Sequence, residues 1–170
     1  MPYNLHIFVN SVEFIAKVID TLKLAPEAVK VVCSTSGESR QENQRKLGKD
    51  YPIGQPSDPA KKINFYTSTC FEGCDIFDPD GVTFIVSDGR KAHTLLDIST
   101  LFTQICGRIR DSRYKTQIVH VYSTTKYSKA VTLDEFVAAT QRTLADAVNY
   151  AAEINSLSEA TRVKTLSKIP

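Results

Sequence analysis

Three residues in one short segment have the chemistry needed to bind a phosphate group. Gln104 and Arg108 are four residues apart, so on a helix they would share one face, with Gly107 beside them. An amide and a guanidinium group can both donate to phosphate oxygens, and the glycine leaves room for a bulky group. Alternatively, Arg108, Arg110 and Arg113 only complement the dipole at a helix C-terminus. The segment alone leaves both interpretations open.

Regular secondary structure must position this segment. An apolar run with helical spacing predicts a helix from Leu95 to Ile105, and a β-branched run predicts a strand from Gln117 to Tyr122. Further strands are predicted at Leu5–Val9, Val29–Cys33, Lys62–Tyr66 and Val82–Val86, and further helices at Val12–Leu22 and Glu38–Leu47. This alternation predicts an α/β fold around a mostly parallel sheet, with helices on both faces.

The predicted strands end in hydroxyl and amide side chains. In parallel sheets, ligands bind outside the carboxyl ends of the strands, where short donors and helix N-termini suit phosphate oxygens. The residues concerned are Asn10, Ser11, Ser34, Thr35, Ser36, Thr67, Ser68, Thr69, Ser87, Asp88, Ser123, Thr124 and Thr125. Alternatively, these residues are only the N-caps of the helices that follow. Capping accounts for one residue in each loop, and less well for runs of three.

The pattern changes after Tyr127. Thr132 and Glu135 fit a capping box, and the apolar residues that follow form one stripe of a long helix. We therefore predict one domain over residues 1–127. A helical extension over residues 128–170 is expected to pack on the same domain.

Composition excludes several classes of protein. The net charge of +2 is too small to indicate nucleic-acid binding by itself. No apolar run approaches the roughly 18 residues of a membrane span, and the first residues are not a signal sequence. The four cysteines, Cys33, Cys70, Cys74 and Cys106, lack the spacing of zinc ligands. We expect a cytoplasmic protein with reduced thiols, no metal site of its own and no membrane partner.

Two motifs, in order and on the predicted elements, resemble motifs V and VI of superfamily 2 helicases. Thr67–Ile76 resembles the form T-x-x-x-x-E-G-x-D-I, and Gln104–Arg108 resembles Q-x-x-G-R. Leu5–Ser11 is similar to motif IV, and Ser34–Gly37 matches the following strand end. The resemblance extends to about Thr125. Within the superfamily, the arginines look most like those of the herpesvirus origin-binding helicases and their bacterial and phage relatives.

The resemblance implies a RecA-like, P-loop NTPase-type sheet, the second of two such domains that enclose ATP. Arg108 and Arg110, oriented by Gln104, would contact the γ-phosphate. Gly73, Asp75 and Gly107 would lie near the nucleotide. The strand-end residues Asn10, Ser11, Ser34, Thr35, Ser36, Thr67 and Ser68 would contact the nucleic-acid backbone.

The sequence contains neither of the motifs that bind ATP and Mg²⁺ in the first RecA-like domain of such helicases. No G-x-x-x-x-G-K-[ST] sequence occurs, and no Asp-Glu pair follows a strand. ATP and Mg²⁺ would therefore serve as cofactors only together with the first RecA-like domain, and this chain alone should bind ATP only weakly and should not hydrolyse it. The other expected partner is single-stranded or duplex nucleic acid.

One spacing departs from the motif, because its usual second arginine comes three residues after the first. Arg110 follows Arg108 by only two, so an unbroken helix would point the two side chains about 200° apart. Either the helix ends near Arg108, or only one arginine reaches the phosphate. Arg113 is a third candidate.

Two other functions compete with the helicase interpretation. The first is a stand-alone α/β module that binds a nucleotide or a protein, in which the arginines are structural. The second is a small hydrolase, although His6, His93 and His120 have no recognisable Ser/Asp context.

Overall fold

The computed structural model describes residues 2–123, 131–159 and 161. The chain divides into two compact units, Met1–Lys126 and Tyr127–Pro170. The first unit contains a five-stranded sheet in which all neighbouring strands are parallel. The predicted α/β fold with a parallel sheet is confirmed, and it is compatible with a RecA-like domain.

The strands of the first unit lie in the spatial order β2-β3-β1-β4-β5. They are β1 (Asn4–Phe8), β2 (Val29–Val32), β3 (Ile63–Tyr66), β4 (Gly81–Asp88) and β5 (Ile118–Ser123). The α-helices are α1 (Val12–Leu22), α2 (Glu38–Leu47) and α3 (Thr103–Cys106). Short 3-10 turns lie at Pro26–Ala28, Ser68–Cys70 and Ala92–Thr94, and a π-helix at Ile98–Phe102 leads into α3.

Different elements cover the two faces of the sheet. On one face, Ile15 of α1 and Leu47 at the end of α2 pack with Phe65 of β3. On the other face, Ile105 of α3 packs with Phe8 of β1. All of these side chains are buried, so the helices are held to the sheet mainly by removal of apolar surface from water.

The helix predicted from Leu95 to Ile105 is wrong in its first part. Leu95 has extended backbone angles of φ −76° and ψ 138°, and its side chain is 46% exposed. The Asp97 carboxylate accepts a hydrogen bond of 2.9 Å from the Thr100 N–H and so caps the helix that begins at Ile98. Because an N-cap residue has non-helical backbone angles, the helix cannot extend back to Leu95.

A buried polar cluster ties β1 and β3 to the loop before β4. His6 Nε2 lies 2.8 Å from Asp78 Oδ2, and His6 Nδ1 lies 3.1 Å from the Tyr66 hydroxyl. The same carboxylate accepts hydrogen bonds from the Asn4 side chain at 3.0 Å and from the Asp80 N–H at 2.9 Å. Burial lowers the pKa of His6, which favours the neutral ring. That ring can donate from Nε2 to Asp78 and accept from Tyr66 at Nδ1.

The Asp78 carboxylate is ionised despite its burial. Burial opposes the charge, but the hydrogen bonds from His6, Asn4 and Asp80 outweigh it and lower the pKa of Asp78. These contacts join residues more than seventy positions apart in the chain. The cluster therefore fixes the loop that leads into β4.

Replacing Asp78 by alanine should destabilise the fold by about 2–4 kcal/mol, because the buried donors of His6 and Asn4 lose their acceptor. Asp20→Ala is the matched control, since Asp20 is 82% exposed and forms a surface ion pair with Lys23. Its effect should stay below about 1 kcal/mol. Urea denaturation at neutral pH measures both. Equal unfolding free energies for the two variants would show that the cluster contributes no net stability.

The second unit contains one long helix, α4 (Leu133–Ser156). The Thr132 N–H donates to Glu135 Oε2 at 2.9 Å, and the Glu135 N–H donates to Thr132 Oγ1 at 3.3 Å. The predicted capping box is confirmed. The predicted boundary at residues 127 and 128 lies outside the described residues, as do residues 160 and 162–170 of the predicted extension. Its packing on the domain stays a prediction.

Within the described parts of the chain, no helix has the length and apolar character needed to cross a membrane.

Candidate functional site

The backbone after α3 explains the two-residue spacing of the arginines. α3 ends at Cys106, and Ile109 then pairs with Ile76 in a parallel bridge. The Ile76 N–H donates to the Arg108 carbonyl and the Arg110 N–H donates to the Ile76 carbonyl, both at 2.9 Å. Residues 108–110 are therefore strand-like. Side chains two residues apart on a strand point to the same side.

This geometry replaces the helical picture, in which Arg108 and Arg110 would diverge. The two side chains flank Ile109, which is buried with 4% exposure. Arg108 is half-buried and Arg110 is exposed. The first of the two possibilities left open by the sequence is therefore correct: the helix ends before Arg108.

Two backbone carbonyl groups hold the Arg108 guanidinium. Arg108 Nε donates to the Gln104 carbonyl at 3.0 Å, and Nη1 donates to the Cys74 carbonyl at 2.9 Å. Neither acceptor carries a net charge, so the guanidinium keeps its positive charge available to an anion. Gln104 contacts Arg108 here through its main chain. Among the described residues, no hydrogen bond occupies Arg108 Nη2.

Arg110 forms an ion pair with Asp75, on the same loop as Cys74. Arg110 Nε and Nη2 each lie 2.8 Å from Asp75 Oδ1. Both side chains are about half exposed, at 48% and 46%, so water screens the attraction. Such pairs contribute at most about 1 kcal/mol. Arg110 can therefore exchange Asp75 for another anion at little cost.

The two glycines of the predicted nucleotide site differ in what the backbone requires. Gly73 has a φ of +71°, in the left-handed region that residues with a Cβ rarely adopt. Gly107 has ordinary angles of φ −95° and ψ 0°. A Cβ added at Gly107 would lie 3.6 Å from the Gln104 carbonyl oxygen and 4.0 Å from Arg110 Nη1, which is ordinary van der Waals contact.

Arg113, the third candidate, is engaged elsewhere. Its Nη2 lies 2.8 Å from Asp80 Oδ1, and its guanidinium carbon lies 6.0 Å from the centre of the Tyr114 ring. The Arg113 N–H donates to the Pro79 carbonyl. These contacts place Arg113 at the loop before β4, whereas Arg108 and Arg110 contact Cys74 and Asp75.

At the carboxyl edge of the sheet, Asn10 connects three segments. Asn10 Nδ2 donates to the His93 carbonyl at 2.8 Å, and Asn10 Oδ1 accepts from the Ser68 N–H at 3.3 Å. These residues follow β1, β4 and β3, respectively. The structure therefore brings Asn10 and Ser68 together, as expected for the carboxyl ends of neighbouring parallel strands.

Of the remaining strand-end residues, Ser11 and Thr67 are engaged or buried within the fold, whereas those after β2 lie in a more open loop. Ser11 Oγ accepts from the Phe14 N–H at 3.2 Å and caps α1, as the capping alternative predicted. Thr67 is buried, and its hydroxyl lies 3.3 Å from that of Thr69. The loop after β2 is more open. Ser34 and Ser36 share a hydroxyl contact of 3.0 Å, and Thr35 and Ser36 are exposed.

The structure contains a serine–histidine pair that the sequence does not reveal. Ser87 Oγ of β4 lies 2.7 Å from His120 Nε2 of β5. His120 pairs in register with Ile85, so only knowledge of the strand register could have predicted this diagonal contact. Ser87 is 8% exposed, and no carboxylate among the described residues hydrogen-bonds His120. The pair thus lacks the third group that orients a catalytic histidine.

A groove of about 550 Å³ lies between α1 and the ends of β4 and β5. Its lining includes the apolar residues Val18 and Val86 and charged residues of both signs, among them Lys17, Lys91 and Asp88. Hydrogen bonds from the side chain and backbone of Arg90 lower the pKa of Asp88 to about 2. Asp88 is therefore anionic at neutral pH.

No protein-family model, curated protein or solved structure matches this chain. The structure itself defines an α/β domain with an all-parallel sheet. A finer assignment depends on the residues described above. In the described parts of the chain, no group of three or more His, Cys, Asp and Glu side chains is arranged to hold a metal ion.

The two glycines should respond differently to substitution. Gly73→Ala should cost about 1–2 kcal/mol of unfolding free energy, because alanine is strained at a positive φ. Gly107→Ala is the matched control, and it should change stability by less than about 0.5 kcal/mol, because the added methyl group meets only ordinary contacts. Chemical denaturation of both variants checks this. A larger loss for Gly107→Ala would mean that the fold has no room for a side chain at position 107.

Proposed function

We propose that this chain is the second RecA-like domain of an ATP-dependent superfamily 2 helicase or translocase, with DNA as the expected nucleic acid. The observation that supports the proposal is the strand-like segment at residues 108–110. It gives Arg108 and Arg110 a common side despite their two-residue spacing. The departure from the motif is therefore compatible with two arginines contacting one triphosphate.

Arg108 is suited to stabilise charge that develops on the γ-phosphate. Its two carbonyl partners fix the guanidinium before a ligand arrives, so little reorganisation is needed. An arginine in this role is worth about 10³–10⁵ in the rate of phosphoryl transfer. Arg110 would first have to release Asp75, and a triphosphate, with its greater negative charge, competes well with one carboxylate.

The proposed partners are the first RecA-like domain, which would supply the rest of the ATP site, and a nucleic acid. Mg²⁺ would accompany ATP, but the described residues of this chain offer no group of metal ligands. The carboxyl-edge residues around Asn10 and Ser68 would contact the nucleic-acid backbone, where uncharged donors suit phosphate oxygens.

Binding of inorganic tripolyphosphate to the 170-residue chain tests the arginine assignment. The wild-type chain should bind it weakly, and Arg108→Ala should weaken binding by about tenfold, the effect of losing one charge-assisted hydrogen bond. Arg108→Lys should restore little, because an ammonium group cannot reproduce the planar fork. Titration followed by NMR chemical shifts provides the dissociation constants.

Arg113→Ala is the matched control for this titration, since Arg113 is a 65% exposed arginine paired with Asp80. It should leave the dissociation constant unchanged. An equal loss in both alanine variants would mean that tripolyphosphate responds only to overall charge. Absence of binding to the wild-type chain would refute the proposed phosphate site.

Single-stranded DNA should bind the same chain at the carboxyl edge of the sheet. Affinity should fall with salt and depend little on sequence, as for backbone contacts. Asn10→Ala should weaken binding by a few-fold, because the loop that carries Ser68 loses the side chain that holds it in place. Asn149→Ala on the exposed surface of α4 is the control and should have no effect. Chemical-shift changes confined to the opposite edge, around Tyr3 and Asn4, would contradict the assignment.

A further inference from the structure

Phe77 is a large apolar residue in an unusual position. Its side chain is 67% exposed, although the residues on either side, Ile76 and Asp78, are 3% and 4% exposed. Asp75 is again exposed. This alternation is that of an extended segment, in which every second side chain faces outward. Phe77 and Asp75 therefore share the outer side.

The bridge to residues 108–110 defines what lies beside the Phe77 ring. Ile76 pairs with Ile109 in parallel, so Phe77 follows the paired residue on one segment as Arg110 follows it on the other. The Arg110 guanidinium reaches back to Asp75, and the Arg108 guanidinium donates to the Cys74 carbonyl. The outer face of the two segments thus carries a phenyl ring, two guanidinium groups and one carboxylate. Along this face, Phe77 comes first, then Arg110, then Arg108.

We propose that Phe77 stacks against the base of a nucleoside triphosphate whose phosphates contact Arg110 and Arg108. This inference rests on the proposed function, because it requires a triphosphate at the two arginines. The order of groups along the face matches the order of base and phosphates in an extended nucleotide. A phenyl ring that packs on a base need not stay in water, which gives a reason for its exposure in the free chain.

The chemistry of the ring also predicts its selectivity. Phe77 offers a π-face and no hydrogen-bonding group, so it recognises ring area and not the edge of a base. ATP and GTP should bind alike. CTP, with its smaller ring, should bind more weakly.

The test compares ATP with inorganic tripolyphosphate on the 170-residue chain. The base should improve binding of the wild-type chain relative to tripolyphosphate by roughly tenfold, the effect of one stacked base. Phe77→Ala should abolish this advantage without changing tripolyphosphate binding, and Phe77→Trp should keep it. The measured quantity is the ratio of the dissociation constants of tripolyphosphate and ATP. Comparing this ratio between variants cancels the difference in charge between the two ligands.

Phe14→Ala on α1 is the matched control, because Phe14 is also exposed, at 37%, but lies on the face with the groove. It should leave the ratio unchanged. If tripolyphosphate binds through Arg108 but Phe77→Ala keeps the advantage of ATP, the stacking inference is wrong and the proposed function stands. If neither ligand binds the wild-type chain, the proposed phosphate site fails and the stacking inference fails with it.

Discussion

Two backbone hydrogen bonds between Ile76 and residues 108–110 hold together the part of the molecule on which the candidate site depends. They position the segments because Ile76 and Ile109 are both buried, with 3% and 4% exposure. Burying one such side chain is worth about 1.5–3 kcal/mol, more than the exposed ion pair between Arg110 and Asp75 can contribute. The arginines are thus positioned by apolar burial and backbone pairing, and their own charges remain available to a ligand.

The two arginines differ in what holds their side chains. Arg108 is fixed by neutral carbonyl groups, so its position does not depend on the ligand. Arg110 is paired with a carboxylate that an anionic ligand can displace. A fixed cation suits stabilisation of charge that appears during a reaction, whereas an exchangeable cation suits ligand binding. The outward position of Phe77 follows from the same pairing, because the burial of Ile76 forces its neighbours outward.

The sequence predicts those features that depend on local patterns. All five strands, α1, α2 and the Thr132 capping box follow from periodicity and capping signals. The helix from Leu95 was predicted too long, because apolar spacing does not show that Asp97 caps at Ile98. Contacts that depend on register or on distant loops were not predictable, among them Ser87 with His120 and His6 with Asp78. The strand-like segment at 108–110 belongs to this group, since its partner is Ile76.

The carboxyl edge shows why residue type alone does not identify a binding residue. Ser11 caps a helix, and Thr67 is buried, so neither hydroxyl is placed as an open donor. Both ends of the Asn10 amide are engaged, with the His93 carbonyl and the Ser68 N–H. Asn10 therefore positions the loop that carries Ser68. In the proposed function, direct contacts with a nucleic-acid backbone would fall to the exposed residues Ser68, Thr35 and Ser36, where solvent-facing donors can replace water around a phosphate.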